Sequence, residues 1–336
     1  MEDDFMKNIK DRVTIYEVAV ASGVSLATVS RVINNNSNVT AKTKKRVEET
    51  IARLGYKPSR LAQALATNKT TNIGIVIPSA NYVYIANMLN GMTDEAKTLG
   101  YQLTLFVTNK SKEDALQVVE KVITSHVDGA IIFDDELDQS DIAKLSSYKI
   151  PLVVVNNEVQ GEKLASIHFD YEEKVREVTA DYMKKGGKKM YFLHLHHSGR
   201  LLERIERAFI ESHIQAGKNY GVFSVEDSYR QTYADFLEIF KSTRSGYFLA
   251  YRDSLAAAVI NAALDSGLRV PEDVEVLSLI GTKYASIIRP QLTSLHIDLK
   301  DVGSTAVTML SKFLNDEDVE QDKSFDSTFV KRDSTI

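Results

Sequence analysis

Thr14-Ile15-Tyr16-Glu17-Val18-Ala19-Val20-Ala21-Ser22-Gly23-Val24-Ser25-Leu26-Ala27-Thr28-Val29-Ser30-Arg31-Val32-Ile33-Asn34 is the stretch that decides the fold of the N-terminal end. Thr14 and Glu17 have capping-box spacing, the threonine capping the Glu17 amide while the glutamate reaches back. The short helix they open has Ile15, Val18 and Ala19 on one face. Ala21–Val24 breaks it, with Gly23 supplying the sharp turn. Ser25 then caps a second helix, Leu26–Asn34, whose Val29, Val32 and Ile33 point inward. Thr40 caps a third helix that ends near Leu54, with Gly55 as its stop. Two short helices meeting at a glycine turn and braced by a third make a helix-turn-helix, an all-α module.

The outward side of the second helix carries Leu26, Ala27, Thr28, Ser30, Arg31 and Asn34. Small and hydroxyl side chains let a helix lie deep in a major groove. Arg31 can pair there with guanine O6 and N7, while Ser25, Thr28 and Ser30 donate to phosphates. The charge distribution agrees. Residues 7–70 hold 12 lysines and arginines against four acids, a balance of +8, in a chain whose net charge is −5, so the remainder carries −13. A small basic module on a large acidic body is expected where one end meets nucleic acid. A plain three-helix bundle with a solvated basic face leaves the composition of the second helix unexplained.

The 336 residues are 43% hydrophobic and 26% charged, which suits two or three globular domains. The sequence has no cysteine, which excludes disulfides, thiolate metal sites and thiol nucleophiles and suits a reducing compartment. Met1–Lys10 carries acids and no apolar run, unlike a signal peptide. No segment approaches the roughly 20 apolar residues that a membrane helix needs. A cytoplasmic protein is expected. Beyond Asn72, strand-like runs fall at Asn72–Ile77, Tyr101–Val107, Asp128–Phe133, Pro151–Val155, Met190–Leu195, Tyr247–Ala250 and Val274–Ile280. Helical stretches lie between them near 83–98, 112–125, 171–185, 200–216, 229–241 and 253–266. That alternation reads as βαβ units around parallel sheets. Two such sheets fit in residues 72–336, and their cleft is the default small-molecule site.

Enzyme signatures are missing: no G-x-G-x-x-G follows a strand, and there is no P-loop to cradle phosphates. His194, His196 and His197 suit a strand running into a polar loop better than a metal site. Asp134-Asp135-Glu136 suits a solvated loop, because contiguous acids lack the alternating ligand spacing of a calcium loop. The 15 tyrosines are scattered, which implies packing and not a stacking platform for single strands. No cofactor, metal or catalytic residue is expected. The rival is a cytosolic α/β ligand-binding or enzymatic protein with an incidental basic appendage.

Val13–Ala19, Gly23-Val24-Ser25, Thr28–Asn34 and Leu54-Gly55-Tyr56-Lys57-Pro58 resemble the LacI/GalR family of bacterial repressors. The similarity continues through Thr70–Pro78, Val127–Ile132, Arg289–Ser294 and Arg332–Thr335, essentially the whole chain. Arg289–Ser294 and the Leu26-Ala27 pair most resemble the family's catabolite-control branch. The resemblance implies a homodimeric transcriptional regulator, not an enzyme, that represses carbohydrate-related genes from a pseudo-palindromic operator. It implies a helix-turn-helix domain over 1–57 and a hinge helix and linker over 58–71. Residues 72–336 would then form a dimerisation and effector-binding core of two parallel-sheet subdomains with chain crossovers, like periplasmic sugar-binding proteins. Thr14, Tyr16 and Tyr56 join the DNA contacts by the same resemblance, as do Ser59, Leu61, Ala62 and Leu65 of the hinge. Leu65 sits where the family inserts a leucine into the minor groove, and such a wedge bends the duplex by unstacking a base step.

The cleft departs from the family. Sugar-binding members use an arginine three residues before a glycine-aromatic pair, and Ile205 stands there, in Ile205-Glu206-Arg207-Ala208-Phe209. Ile280 replaces an aspartate after a late strand, and Arg252 replaces a polar neighbour of the retained Asp253. An apolar side chain leaves a sugar hydroxyl unsatisfied at about 1–3 kcal/mol per group, so neutral sugars are not expected as effectors. Arg252 in a partly dry cleft needs an anion, and Asp253 is expected to point elsewhere, since neighbours on an extended segment diverge. The cleft is then closed by an internal ion pair or takes a phosphorylated or carboxylated ligand. The catabolite-control branch also implies a serine-phosphorylated HPr-type corepressor on the helix around Lys300–Lys312. Asp301 and Lys312 agree with that helix. Thr308 stands where its phosphate-reading arginine belongs and cannot make a bidentate, charge-assisted contact.

Overall fold

The structure, a computed structural model, describes residues 13–34, 38–57, 69–109, 111–133, 137–157, 159, 161–196 and 199–336. The hinge expectations at Ser59, Leu61, Ala62 and Leu65, the acids 134–136 and His197 lie outside the described residues. The chain divides into two units, Met1–Thr70 and Thr71–Ile336.

In the first unit, the Thr14 hydroxyl accepts from the Glu17 amide at 3.3 Å, and the Glu17 carboxylate accepts from the Thr14 amide at 2.7 Å. This reciprocal cap opens α1 (Ile15–Ser22), which Gly23 ends at φ 64°. Ser25 caps α2 (Leu26–Ile33) by accepting from the Thr28 amide at 3.2 Å, and the axis turns by 106° between the two helices. α3 (Ala41–Leu54) starts at Thr40 and stops at Gly55, φ 66°. Val18, Val29 and Val47, one from each helix, have no exposed surface and centre a core with Ala19, Val32 and Tyr56. Among the described residues, no single helix is long and apolar enough to cross a membrane.

The second unit begins with β1 (Asn72–Ile77), α4 (Val83–Leu99), β2 (Gln102–Val107), α5 (Lys112–Thr124), β3 (Gly129–Ile132), α6 (Gln139–Ser147), β4 (Leu152–Val155) and β5 (Leu164–Phe169). It continues through α7 (Tyr171–Lys184), β6 (Met190–Leu195), α8 (Arg200–Ala216), β7 (Tyr220–Val225), α9 (Tyr229–Ile239), β8 (Gly246–Ala250), α10 (Asp253–Asp265) and β9 (Val274–Ser278). The last elements are α11 (Tyr284–Ile287), β10 (Thr293–His296), α12 (Leu299–Leu314), β11 (Asp322–Phe325) and β12 (Thr328–Val330).

Two six-stranded sheets result, ordered β11-β5-β4-β3-β1-β2 and β12-β10-β9-β8-β6-β7, parallel throughout except where β12 pairs antiparallel with β10. The central strands β3, β4, β8 and β9 are buried along their whole length because helices cover both faces. Those strands were anticipated from their apolar runs. Five strands, α6 and the short α11 were not. β7, β11 and β12 are edge strands whose apolar runs are broken by solvent-facing residues. Ser166 and His168 interrupt the apolar run of β5, and β10 is four residues of mixed polarity.

The chain passes between the sheets three times, from β5 to β6, from β10 to β11 and from β11 to β12. On the second passage α12 packs against α4 with almost no space between backbones. A Cβ at Gly91 would lie 1.9 Å from the Lys300 carbonyl oxygen, and one at Gly303 would lie 2.1 Å from that of Met88. Backbone cannot step aside as a side-chain tip can, so Gly303→Ala should push the helices apart and destabilise the second unit by about 1–3 kcal/mol, the usual cost of overpacking. Denaturant unfolding measures it, and an unchanged midpoint would refute the close crossing.

Candidate DNA-binding face and inter-subdomain cleft

On α2, Leu26, Ala27, Arg31 and Asn34 are exposed, and Thr28 and Ser30 are half-buried beside them. The Ser25 and Thr28 hydroxyls lie 2.9 Å apart, and the Asn34 amide donates to the Ser30 hydroxyl at 3.4 Å. These links pre-order a polar row along the helix. Arg31 makes no ion pair among the described residues. On α1, Tyr16 and Val20 stand one turn apart at 64% and 67% exposure, an apolar pair left in solvent. Nothing in the sequence pattern singled out Val20. On α3, Lys44 and Lys45 face Glu48 and Glu49 at 3.9 and 4.0 Å.

Tyr56 faces inward. It is 8% exposed and packs into the module's core, because Gly55 turns the chain left-handed and the Tyr56 amide donates back to the Ile51 carbonyl at 3.1 Å. That geometry is the common glycine stop in which the residue after the glycine packs on the last helical turn.

In the second unit, Tyr82 follows β1, Asp227 follows β7, and Arg252 and Asp253 follow β8, so all four lie beyond the carboxyl ends of strands. Open α/β sheets bind ligands there. A cavity of ≈ 450 Å³ lies between the subdomains, lined by Arg252, Asp253 and Ile280 together with Tyr82, Tyr84 and Tyr284. Arg252 is 9% exposed, and its Nη1 pairs with Oδ1 of Asp227. Its guanidinium carbon sits 4.2 Å from the centroid of the Tyr82 ring. The Tyr82 hydroxyl donates to the other oxygen of Asp227 at 2.5 Å.

Asp253 is occupied elsewhere, its Oδ2 accepting from the Thr282 amide at 2.7 Å and the Thr282 hydroxyl at 2.6 Å. Burial pushes the Asp253 carboxyl above its ordinary range, against hydrogen bonds that lower it. The carboxylate facing Arg252 is therefore that of Asp227, which the sequence did not reveal. Ile205 is not a cleft residue. It has no exposed surface and lies on the core stripe of α8 with Leu201, Leu202, Ala208 and Phe209, which helical spacing puts on one face.

A larger cavity, ≈ 530 Å³, opens beside Lys185 and Tyr247. Its buried acid is already satisfied: Glu275 accepts from the Tyr182 hydroxyl at 2.6 Å, from Lys188 at 2.7 Å and from the Ile336 amide at 2.8 Å. On α12, Asp301 and Lys312 are exposed, while the Thr308 hydroxyl donates across to Glu95 of α4 at 3.1 Å. His194 sits 2.7 Å from Glu206 through Nδ1.

Known proteins match both units. The description "Bacterial regulatory proteins, lacI family" covers residues 14–59, and "Periplasmic binding protein-like domain" covers residues 190–335. Catabolite control protein A of Staphylococcus aureus is 30% identical over 313 residues, spanning 92% of this chain and 94% of that protein. Its counterpart in Priestia megaterium is 32% identical over 322 residues, with the same coverage. The chain belongs to the LacI family. The Lac repressor dimer bound to operator and the anti-inducer ONPF shares the fold of this LacI-family regulator, with a TM-score of 0.86 and 25% identity over 97% of this chain and 100% of that one.

In this LacI-family transcriptional regulator the free guanidinium of Arg31 and the exposed ammonium of Lys42 should behave differently. Arg31→Ala should cost about 1–3 kcal/mol on a selected site and relax preference at one base pair per half-site. Lys42→Ala should weaken all duplexes alike and flatten the salt dependence. Gel shifts on selected and random duplexes at several salt concentrations separate the two. Equal losses on both duplexes for Arg31→Ala would end its base-reading role.

Proposed function

We propose that this LacI-family regulator is a cytoplasmic homodimer that represses carbohydrate-related genes by holding a pseudo-palindromic operator, one α2 helix in each half-site. The exposed row of α2 carries this reading, with Leu26, Ala27, Thr28, Ser30 and Asn34 offering a groove-fitting surface around Arg31. Thr14, Tyr16 and Ser25 at the helix starts position the module on the backbone. Domain limits of 1–57, 58–71 and 72–336 follow, with Ser59, Leu61, Ala62 and Leu65 reaching the minor groove from the hinge and Leu65 as its wedge. Two relatives support the physiological half of the proposal by being named for catabolite control, and the solved Lac repressor supports the other half as a dimer on its operator.

Control acts through the relative orientation of the two subdomains, which a small effector or a phosphorylated HPr-type partner changes. Such a partner would meet Asp301 and Lys312 on α12, with Thr308 already tied to Glu95. Neutral sugars are not inducers, because Ile280 offers them no hydrogen bond and the charge of Arg252 is met by Asp227.

Three experiments test this. Duplexes selected from a random pool should be retarded by the full chain and not by a chain starting at Thr70. Leu65→Ala should keep its melting temperature while losing duplex bending and specific affinity. Equal retardation by the shortened chain would overturn the operator reading. In calorimetric titrations with free sugars, sugar phosphates and phosphorylated HPr, the free sugars should give no saturable heat. Micromolar binding of an unmodified neutral sugar, with release from the operator, would overturn the second statement.

A further inference from the structure

Tyr82 and Asp227 are 145 residues apart in sequence and sit on loops of opposite sheets, yet the tyrosine hydroxyl and the carboxylate are 2.5 Å apart. Arg252 touches both, the ring of one and the carboxylate of the other. We infer that Tyr82, Asp227 and Arg252 form a clasp built into the chain, which holds the two subdomains together across the cleft without a bound effector. The inference concerns the free protein and does not rest on the operator proposal.

Asp227 and Arg252 both belong to the second subdomain, following β7 and β8, and Tyr82 is the member from the first. One phenol closes two contacts at once. Its ring covers the guanidinium of Arg252 at 4.2 Å, and its hydroxyl donates to Oδ2 of Asp227 while the guanidinium Nη1 pairs with Oδ1. The Arg252 side chain is only 11% exposed and that of Asp227 25% exposed, so water has limited access to the pair. A desolvated cation gains most from an aromatic face, and Nε of Arg252 has no hydrogen-bond partner to compensate for losing that face.

Tyr82 is itself anchored. It stacks on Tyr84 at 5.3 Å, and Tyr84 meets Phe133 edge-on at 6.2 Å inside the first subdomain's core. A ring held in this way cannot follow Arg252 if the second subdomain swings away. Opening the cleft breaks both contacts together, so the pair behaves as a latch and not as local surface decoration.

Hydrogen–deuterium exchange of the full chain without DNA tests the clasp, because opening exposes amides on both sides of the cleft. Tyr82→Phe removes one hydroxyl and leaves the ring. It should speed exchange in the facing loops around 226–229 and 251–254 by about three- to tenfold, the effect of one hydrogen bond. Tyr82→Ala should speed it further. Asp227→Asn should do the reverse, raising exchange around 79–84 in the first subdomain. Strands β3 and β9 should exchange as before in all three, which separates clasp opening from unfolding. Unchanged rates in the second subdomain for both tyrosine variants would overturn the inference, as would changes confined to the subdomain carrying the substitution.

Discussion

Where α12 crosses α4, neither helix has room for a side chain, and the rest of the second unit's architecture depends on that contact. α12 follows β10 of one sheet and precedes β11 of the other, so its docking on α4 fixes where the returning chain lands. The glycines at 91 and 303 let two backbones approach to the limit of their van der Waals surfaces, where dispersion is densest. With α12 held, β11 can pair with β5 and the chain can cross a third time to β12. Three passages between sheets, instead of one flexible linker, restrict the subdomains to hinge-like motion about those passages. A cleft bounded in this way has few relative orientations, which makes those orientations usable as a signal.

The first unit was legible almost residue by residue because its determinants are local. Thr14, Glu17, Gly23, Ser25, Thr40 and Gly55 act on neighbours three or four positions away, and each occupies the helix-end position that its chemistry favours, Glu17 as the third residue of the capping box and the others as caps. Tyr56 follows the same local logic: its motif is shared with DNA-contacting modules, and the turn at Gly55 sends its ring inward. In the second unit, the fully buried central strands announced themselves as apolar runs, as did the edge strand β2, whereas β7, β11 and β12 at the other edges did not. The cleft was half legible. Arg252 advertised a need for an anion, but Asp227 sits in an ordinary helix-capping loop, Glu226-Asp227-Ser228, and nothing local distinguishes it. Ile205 shows the converse error, in which a position matched to a functional residue lies one face away on a helix whose core stripe claims it.

Charge is partitioned with equal economy. Half of the 12 lysines and arginines in residues 7–70 lie on α2 and α3, and Lys44 and Lys45 stand beside glutamates one turn on. Such exposed pairs contribute at most about 1 kcal/mol, and phosphates can displace them easily. The acidic remainder repels nucleic acid, which helps direct a duplex to the module. Arg252 is a different kind of charge. Isolated from water, it must be neutralised within the fold, and Asp227 does so at the cleft's rim.

The strength of that neutralisation sets how the cleft can respond. Breaking the clasp leaves the Arg252–Asp227 pair intact, so the large penalty of an orphaned buried charge never arises. What opening loses is the phenol's hydrogen bond, about 0.5–1.5 kcal/mol net, and the cation–π contact, about 0.5–2 kcal/mol depending on desolvation. A bias of about 1–3 kcal/mol corresponds to roughly 5- to 150-fold between closed and open forms. That is strong enough to populate the closed form without a ligand and weak enough for modest differential binding to reverse. A salt bridge spanning the two subdomains would have held more tightly and been harder to release. Placing both charges on one subdomain and only a phenol on the other yields a closure that binding energy can tune.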